Sequence, residues 1–167
     1  MVILGLDVST TTIGYAYTKY KKIQDMGFID ISKKTSIQEK AYKALDVIEE
    51  NNNMKKVSKI IVEDNLSGFA FGRTSQQTII KLAKFNAVFC FIIENATGKP
   101  VISVNPATAR KKVFGKARVK GIKSKDFVKM KIEEQYDTSN FIKLNNKQQF
   151  DKRNIDMYDA LVCALYG

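Results

Sequence analysis

The sequence predicts an α/β fold with one mixed five-stranded sheet and helices on both faces. Two observations predict this class: three β-prone segments open the chain in close succession, and strands then alternate with amphipathic helices. The length of 167 residues suits one domain, and no repeat, low-complexity tract or linker divides it. We therefore assign residues 1–167 to a single domain.

Three strands are predicted at the start of the chain. Residues 2–8 (VILGLDV) are apolar and β-prone, which indicates a buried strand. Residues 12–18 (TIGYAYT) and about 23–31 (IQDMGFIDI) alternate in polarity. Because these two segments follow each other closely, we expect them to form an antiparallel meander.

The middle of the chain predicts a helix, a strand and a long helix. The first helix starts at Ser36 and ends at the three asparagines of residues 51–53. Residues 58–63 (SKIIVE) indicate a second buried strand. Beyond the loop DNLSGFAFGR, Thr74 can cap a long helix that runs to about Ala96. The apolar sides of these helices carry Ile37, Ala41, Ala44, Leu45 and Ile48 in the first, and Ile79, Leu82, Ala83, Asn86, Ala87 and Cys90 in the second.

The rest of the chain predicts one more strand and three helices. A turn at residues 98–100 precedes the short strand VISV, and Pro106 suits the first turn of a short helix that ends at Phe114. A loop rich in glycine and lysine follows, and then a helix from Ser124 to about Tyr136. Residues 137–153 are polar and irregular, and an apolar helix from about Ile155 to Tyr166 closes the chain.

The charge of the chain is concentrated in one segment. The net charge is +11, and residues 99–131 contain eleven basic residues and one acidic residue, so this segment carries +10 of it. A solvated surface usually mixes its charges, so a block of one sign indicates a polyanionic partner. We expect nucleic acid rather than a membrane, because the segment has no long apolar face.

The remaining composition indicates a soluble protein of a reducing compartment. No apolar run approaches the roughly 20 residues of a membrane span, and the N-terminus lacks the features of a signal peptide. Cys90 and Cys163 are isolated within apolar helical segments, so we interpret both as core thiols.

Four acidic residues lie where a charged side chain is costly. Asp7 is inside the first apolar strand and Glu63 ends the second buried strand, whereas Asp156 and Asp159 share one face of the last helix. Each acid alone has a structural alternative: Asp7 as a turn residue, Glu63 as a strand-end surface charge, and Asp156 as a residue favoured by the helix dipole. Together, in a basic protein, they indicate a shared cation site.

The types of residue present define the chemistry of such a site. Carboxylates without histidine or cysteine ligands favour Mg²⁺ or Mn²⁺. The chain has no histidine, which excludes a histidine triad, histidine-ligated zinc and a histidine general base. Two such ions can activate a water and stabilise the charge that develops on a scissile phosphate. We therefore expect two metal ions and no nucleotide cofactor.

Three segments, GLDVSTTTIGYA, IIVEDNLSGFAFGRTSQQ and NIDMYDALVCALYG, resemble the RuvC-like Holliday junction resolvases, especially their phage and viral members. The resemblance covers essentially the whole chain in order, and D-x-x-D-A-L is its most specific part. It implies an RNase H-like fold, a homodimer with two active sites, and paired nicks across a four-way junction. It implies action in the cytoplasm of a bacterium or of a host cell. The four metal-binding acids of the family fall on Asp7, Glu63, Asp156 and Asp159.

The resemblance also implies DNA contacts. An aromatic residue after the glutamate stacks into the opened junction in such proteins, and Phe69 matches it most closely, followed by Phe71; both could instead form a hydrophobic plug under their own loop. Basic residues of the family match Arg110 and Lys123, and this chain has a longer basic stretch between them. Arg73 could hold a phosphate or simply face solvent. The other candidate DNA contacts are Lys111, Lys112, Lys116, Arg118, Lys120 and Lys125.

Three alternative functions remain open at the level of the sequence. A flap or general debranching nuclease would use the same acids without a strict preference for four-way junctions. An ATP-binding fold of the sugar-kinase and actin kind has a first phosphate loop that also reads like GLDVSTTTIGYA, but it needs two domains and a glycine-rich adenosine motif. A non-catalytic DNA-binding module is the third. The candidate dimer contact is the long helix of residues 74–96, with Phe85, Phe89 and Phe91 spread around it.

Overall fold

The computed structural model describes residues 1–64 and 75–167, and a five-stranded sheet runs through the middle of this part of the chain. The strand order is β3-β2-β1-β4-β5. β1 pairs antiparallel with β2 and parallel with β4, and β4 pairs parallel with β5. The predicted mixed sheet is therefore confirmed. The strands are β1 (Val2–Val8), β2 (Thr12–Lys19), β3 (Lys22–Asp30), β4 (Val57–Glu63) and β5 (Val101–Val104).

Helices cover both faces of the sheet, as the sequence predicts. α1 and α2 pack on one face, where their apolar side chains meet those of Leu4 and Leu6. α3, α4 and α5 pack on the other face, and α5 lies directly against β1 and β2. Among the described residues the α-helices are α1 (Ile37–Glu50), α2 (Gln76–Thr97), α3 (Pro106–Phe114), α4 (Ser124–Gln135) and α5 (Asn154–Tyr166), with short 3-10 helices at Met54–Lys56 and Ser139–Phe141.

Local sequence signals fix where α1, α2 and α3 begin. Ser36 and Glu39 form a reciprocal capping box at the start of α1. Asn105 accepts hydrogen bonds from two backbone N–H groups of α3, and Pro106 occupies its first turn. The sequence-based cap of α2 was wrong by one residue: Ser75 caps the helix through the backbone N–H of Thr78, and Thr74 lies outside the described residues.

The buried side of α2 differs from the sequence-based prediction. Phe85, Phe89 and Ile93 are the buried residues of this helix, whereas the predicted side is mostly half-buried and Ala87 is exposed. The physical reason is side-chain size, because α2 is apolar nearly all round and the large aromatic rings bury the most area. Cys90 is half-buried at the edge of this core and Cys163 is fully buried in the other one.

Two glycines allow α5 to lie unusually close to the sheet. A Cβ atom on Gly5 would lie 2.1 Å from the backbone oxygen of Ala160, and one on Gly14 would lie 2.0 Å from that of Asp156. Since real Cβ atoms do not approach a backbone oxygen so closely, only glycine permits this packing. The close approach brings the first turn of α5 beside β1 and β2.

None of the helices in the described ranges is both long enough and apolar enough to cross a membrane.

Candidate active site at the carboxyl end of the central strands

Two of the four predicted acids lie at the ends of neighbouring parallel strands. Asp7 is the sixth residue of β1 and Glu63 is the last residue of β4, and only 7% and 8% of their surfaces are exposed. Gly5 of β1 is paired with Ile61 of β4, so the residues two positions further on are side by side on the same face. That face is the one covered by α5, because Ile61 packs in the same core as the residues of α5.

The other two acids lie at the start of α5. Asp156 is in the first turn and Asp159 follows one turn later, so both carboxylates project from the same side of the helix. Asp7 is paired with Gly14 across β1 and β2, and Gly14 lies against the backbone of Asp156. The glycine contact therefore places the helical acids next to the strand acids.

All four acids line one cavity of about 350 Å³. Arg110 from α3 and Lys125 from α4 contribute its positive charge. The remaining lining residues are Val8, Ser9, Leu82 and Pro106. The structure thus brings together four acids that come from three separate segments of the sequence.

Two cations are paired with the helical acids. The Nη2 atom of Arg110 lies 3.3 Å from Oδ1 of Asp159, and both side chains are largely buried, at 12% and 3% exposure. The Nζ atom of Lys125 lies 3.2 Å from Oδ1 of Asp156, and this pair is more exposed. Sequence reasoning placed both cations among the DNA contacts and missed these ion pairs, because no sequence signal links residues so far apart along the chain.

The electrostatics of the cavity disfavour further negative charge. Burial raises the pKa of Glu63 to about 9, and the nearby carboxylates of Asp7 and Asp159 add to this effect. Burial also raises the pKa of Asp159, although Arg110 and Lys125 oppose the shift. Desolvation lowers the pKa of Lys125, but Asp156, Asp159 and Asp7 outweigh it and raise that pKa above its usual value. The acids therefore need compensating positive charge.

Arg110 has an unused hydrogen-bond donor inside the cavity wall. Within the described residues, its Nε atom is the buried side-chain polar atom that lacks a hydrogen-bond partner. A buried donor left unsatisfied costs about 1–3 kcal/mol.

The donor atoms of the site fit a hard divalent cation. The four acids offer only carboxylate oxygens, which are the ligands that Mg²⁺ and Mn²⁺ prefer. Over residues 1–64 and 75–167, no three acidic or cysteine side chains lie close enough together to form a ready-made metal site. Two of the four acids, Asp159 and Asp156, are paired with Arg110 and Lys125.

The other predicted DNA contacts are spread over a wider surface. Lys112 lies at the opposite end of α5 from the acids, where its Nζ donates to the backbone oxygen of Tyr166 at 2.6 Å and lies 4.3 Å from the centre of that ring. The structure therefore does not bring Lys112 to the cavity. Phe69, Phe71 and Arg73 lie outside the described residues. Solvent-exposed positions are held by Lys111, Lys116, Arg118, Lys120 and Lys123.

Comparison with solved structures identifies the fold. RuvC from Thermus thermophilus matches with a TM-score of 0.64 and 14% identity, over 99% of this chain and 92% of that one. The fold is RNase H-like. A second structure, T. thermophilus RuvC in complex with a Holliday junction substrate, matches equally well over 91% of its length. The yeast mitochondrial Holliday junction resolvase Ydc2 has a TM-score of 0.65 and 14% identity, over 98% of this chain and 76% of that one.

The likeness is one of structure rather than of sequence. Neither the models of protein families nor the curated proteins gave a match to this chain. At 14% identity, the RuvC-like arrangement of strands and helices is what the two chains share. The likeness therefore shows the fold, and the function depends on the residues of this chain.

Proposed function

We propose that this protein is a metal-dependent endodeoxyribonuclease that resolves four-way (Holliday) and related branched DNA junctions, in recombination and repair. The observation that carries the proposal is the convergence of four carboxylates on one cavity of an RNase H-like fold. The cavity opens beside the most basic segment of the chain, residues 99–131. A polyanion can thus be held where the acids are.

Asp7, Glu63, Asp156 and Asp159 would hold two Mg²⁺ or Mn²⁺ ions. Bound there, the ions supply Lewis-acid activation of a water and neutralise charge on the scissile phosphate. This chemistry needs no histidine, in agreement with the composition. The low exposure of Asp7, Glu63 and Asp159 places these ligands in a poorly solvated wall of the cavity.

Arg110 and Lys125 would bind the DNA backbone at the site. Arg110 lines the cavity, and its guanidinium offers the charge-assisted donors that phosphate oxygens accept. Lys125 is exposed over more than half of its side chain while its Nζ pairs with Asp156, so it can meet solvent-side phosphates without leaving the site. Both residues also neutralise the acids when no metal is bound.

The branched substrate and the homodimer are parts of the same proposal. T. thermophilus RuvC has been solved in complex with a Holliday junction substrate, and its fold covers nearly all of this chain. Two copies of one active site would allow paired nicks in a four-way junction. The exposed apolar residues Ile80 and Phe91 of α2 support this helix as the contact, since they are three helical turns apart on one side.

The test is a cleavage assay on labelled four-way, Y-shaped and linear DNA with Mg²⁺ or Mn²⁺. We expect metal-dependent cutting of the four-way junction, with linear duplex left intact. Equal cutting of Y-shaped DNA would favour the less selective flap or debranching nuclease. Binding of DNA without any cutting would favour the non-catalytic module, and ATP turnover without DNA cleavage would favour the kinase-like alternative.

A further inference from the structure

A second cavity lies on the face of the sheet opposite to α3 and α4. Its volume is about 410 Å³, and the side chain of Phe85 is part of its wall. Its position is between the β1–β2 turn, the start of α1 and the N-terminal half of α2. The full lining is Thr10, Thr35, Ile37, Lys40, Lys81 and Phe85.

The second cavity and the acid-lined cavity have lining residues that are neighbours in the sequence. Ser9 lines the acid-lined cavity and Thr10 lines the second one. On α2, Leu82 belongs to the first and Lys81 to the second. Consecutive Cα atoms are only about 3.8 Å apart, so the two cavities flank the same stretch of the β1–β2 turn and of α2. The second cavity is therefore within reach of a chain molecule that lies in the acid-lined one.

The lining of the second cavity is positively charged. Lys40 is half-buried and its Nζ donates to the backbone oxygen of Thr10 at 2.5 Å, which leaves further ammonium donors for a ligand. Lys81 is exposed and makes no ion pair with any acid that the structure describes. Glu39, the acid nearest in sequence, accepts hydrogen bonds from Ser36 and Thr35 at the helix start.

The position of the second cavity places basic residues on both faces of the sheet, around the edge that carries the acids. The basic segment of residues 99–131 contributes α3 and α4 on one face of the sheet, whereas Lys40 and Lys81 belong to α1 and α2 on the other face. A nucleic-acid strand carries a phosphate at every nucleotide, in both directions from the one being cut. The distribution of net charge along the sequence does not reveal this second basic region, because the residues outside 99–131 have a net charge of only +1.

We propose that the second cavity binds the sugar-phosphate backbone of the strand being cut, with Lys40 and Lys81 each contacting a phosphate. These phosphates lie on the side of the scissile phosphate opposite to those held by Arg110 and Lys125. This inference rests on the proposed nuclease function and adds a path for the strand across the sheet edge.

The first test measures junction binding in chelator, where no cutting occurs, over a series of salt concentrations. The variant is Lys40→Gln/Lys81→Gln, and its matched control is Lys22→Gln/Lys55→Gln, which removes the same charge at the opposite end of the sheet. Each lost phosphate contact makes the slope of log K against log salt shallower by about 0.9. We expect a change of about 1.8 for the first pair and none for the control.

The outcomes separate this inference from the proposed function. If wild type binds no DNA, both fail. If wild type and the Lys40/Lys81 variant bind with the same slope as the control, the second cavity is not a DNA site and the nuclease proposal stands. Lys40→Gln alone could lower the melting temperature, and Lys81→Gln then provides the test by itself. Because Lys81 is exposed, this single change should leave the fold intact and alter the slope by about 0.9.

A second test locates the contacts along the strand. Neutral methylphosphonates are placed one at a time on either side of the scissile position. Wild type should lose affinity at positions on both sides, whereas Lys40→Gln/Lys81→Gln should be insensitive on one side only. A variant that remains as sensitive as wild type at every position would overturn the proposal.

Discussion

At the scale of single residues, Glu63 is held in a position that the metal-free protein tolerates poorly. Its surface is 8% exposed and its pKa is raised to about 9, because burial and two neighbouring carboxylates disfavour its charge. The folded protein therefore binds a proton here that the unfolded chain has already released above its ordinary pKa of 4.5. Stability that this proton provides is present at low pH and is lost as the pH rises toward 9.

We predict that Glu63→Gln stabilises the protein in chelator, and more so at higher pH. The melting temperature of wild type relative to the variant should fall as the pH rises from about 5 to about 9, because only wild type must lose the proton. Glu50→Gln, at an exposed position of α1, is the control for the same chemical change. A pH-independent difference between wild type and Glu63→Gln would contradict the raised pKa.

Arg110 is the residue whose loss should damage the metal-free fold most directly. It pairs with Asp159 in the wall of the cavity, and removing one partner of a buried pair leaves an uncompensated charge. We predict that Arg110→Met lowers the free energy of unfolding in chelator by about 3 kcal/mol. Lys111→Met, at the next and exposed position, should change it little.

A double variant tests whether the ion pair is the cause. Arg110→Met/Asp159→Asn also removes the Asp159 carboxylate that Arg110→Met alone leaves unpaired. Part of the lost free energy of unfolding should therefore return. Denaturant unfolding of the four proteins gives the coupling energy. Additive losses would mean that Arg110 stabilises the fold through its packing and not through Asp159.

At the scale of elements, the site depends on how closely α5 lies on the sheet. We predict that Gly14→Ala lowers the free energy of unfolding by about 3 kcal/mol or more, because its Cβ would lie 2.0 Å from a backbone oxygen of α5. It should also weaken Mn²⁺ binding, measured by calorimetry, since Asp156 moves with the helix. Gly115→Ala is the control, with open space around its Cβ and only the strain of a left-handed backbone. Unchanged Mn²⁺ binding by a folded Gly14→Ala protein would contradict this account.

The elements themselves were largely predictable, and the reasons differ from one to the next. β1 and α1 carry regular apolar patterns, and both were found where the sequence predicts them. α2 was found too, but its buried side was not, because a helix apolar on all sides has no clear period. The four acids were predicted from costly positions and from family resemblance, whereas their pairing with Arg110 and Lys125 depends on tertiary packing.

At the scale of the whole molecule, the aromatic residues of α2 divide into core and surface. Phe85 and Phe89 are buried, so they cannot contribute to the dimer contact for which the sequence analysis considered them. Phe91 is 71% exposed and remains available for it. The candidate dimer contact therefore includes fewer aromatic residues than the sequence indicates.

We predict that Phe91→Lys converts the proposed homodimer to a monomer without lowering the melting temperature of the subunit. A charge placed in an apolar contact is left unpaired and desolvated, whereas on a free surface it is harmless. Tyr42→Lys, at an exposed position of α1, is the control. Sedimentation equilibrium decides the case, and a Phe91→Lys protein that remains dimeric would place the contact elsewhere.

In the proposed function, the basic surfaces hold DNA and the four carboxylates hold the metal ions that cut it. The most direct measurement compares wild type and Asp7→Asn for junction binding in chelator and for junction cutting with Mg²⁺. Binding should be retained, since phosphate contacts supply most of the affinity. Cutting should fall by at least about a hundredfold, as expected for the loss of several kcal/mol of transition-state stabilisation. An Asp7→Asn protein that cuts junctions at nearly the wild-type rate would contradict the claim.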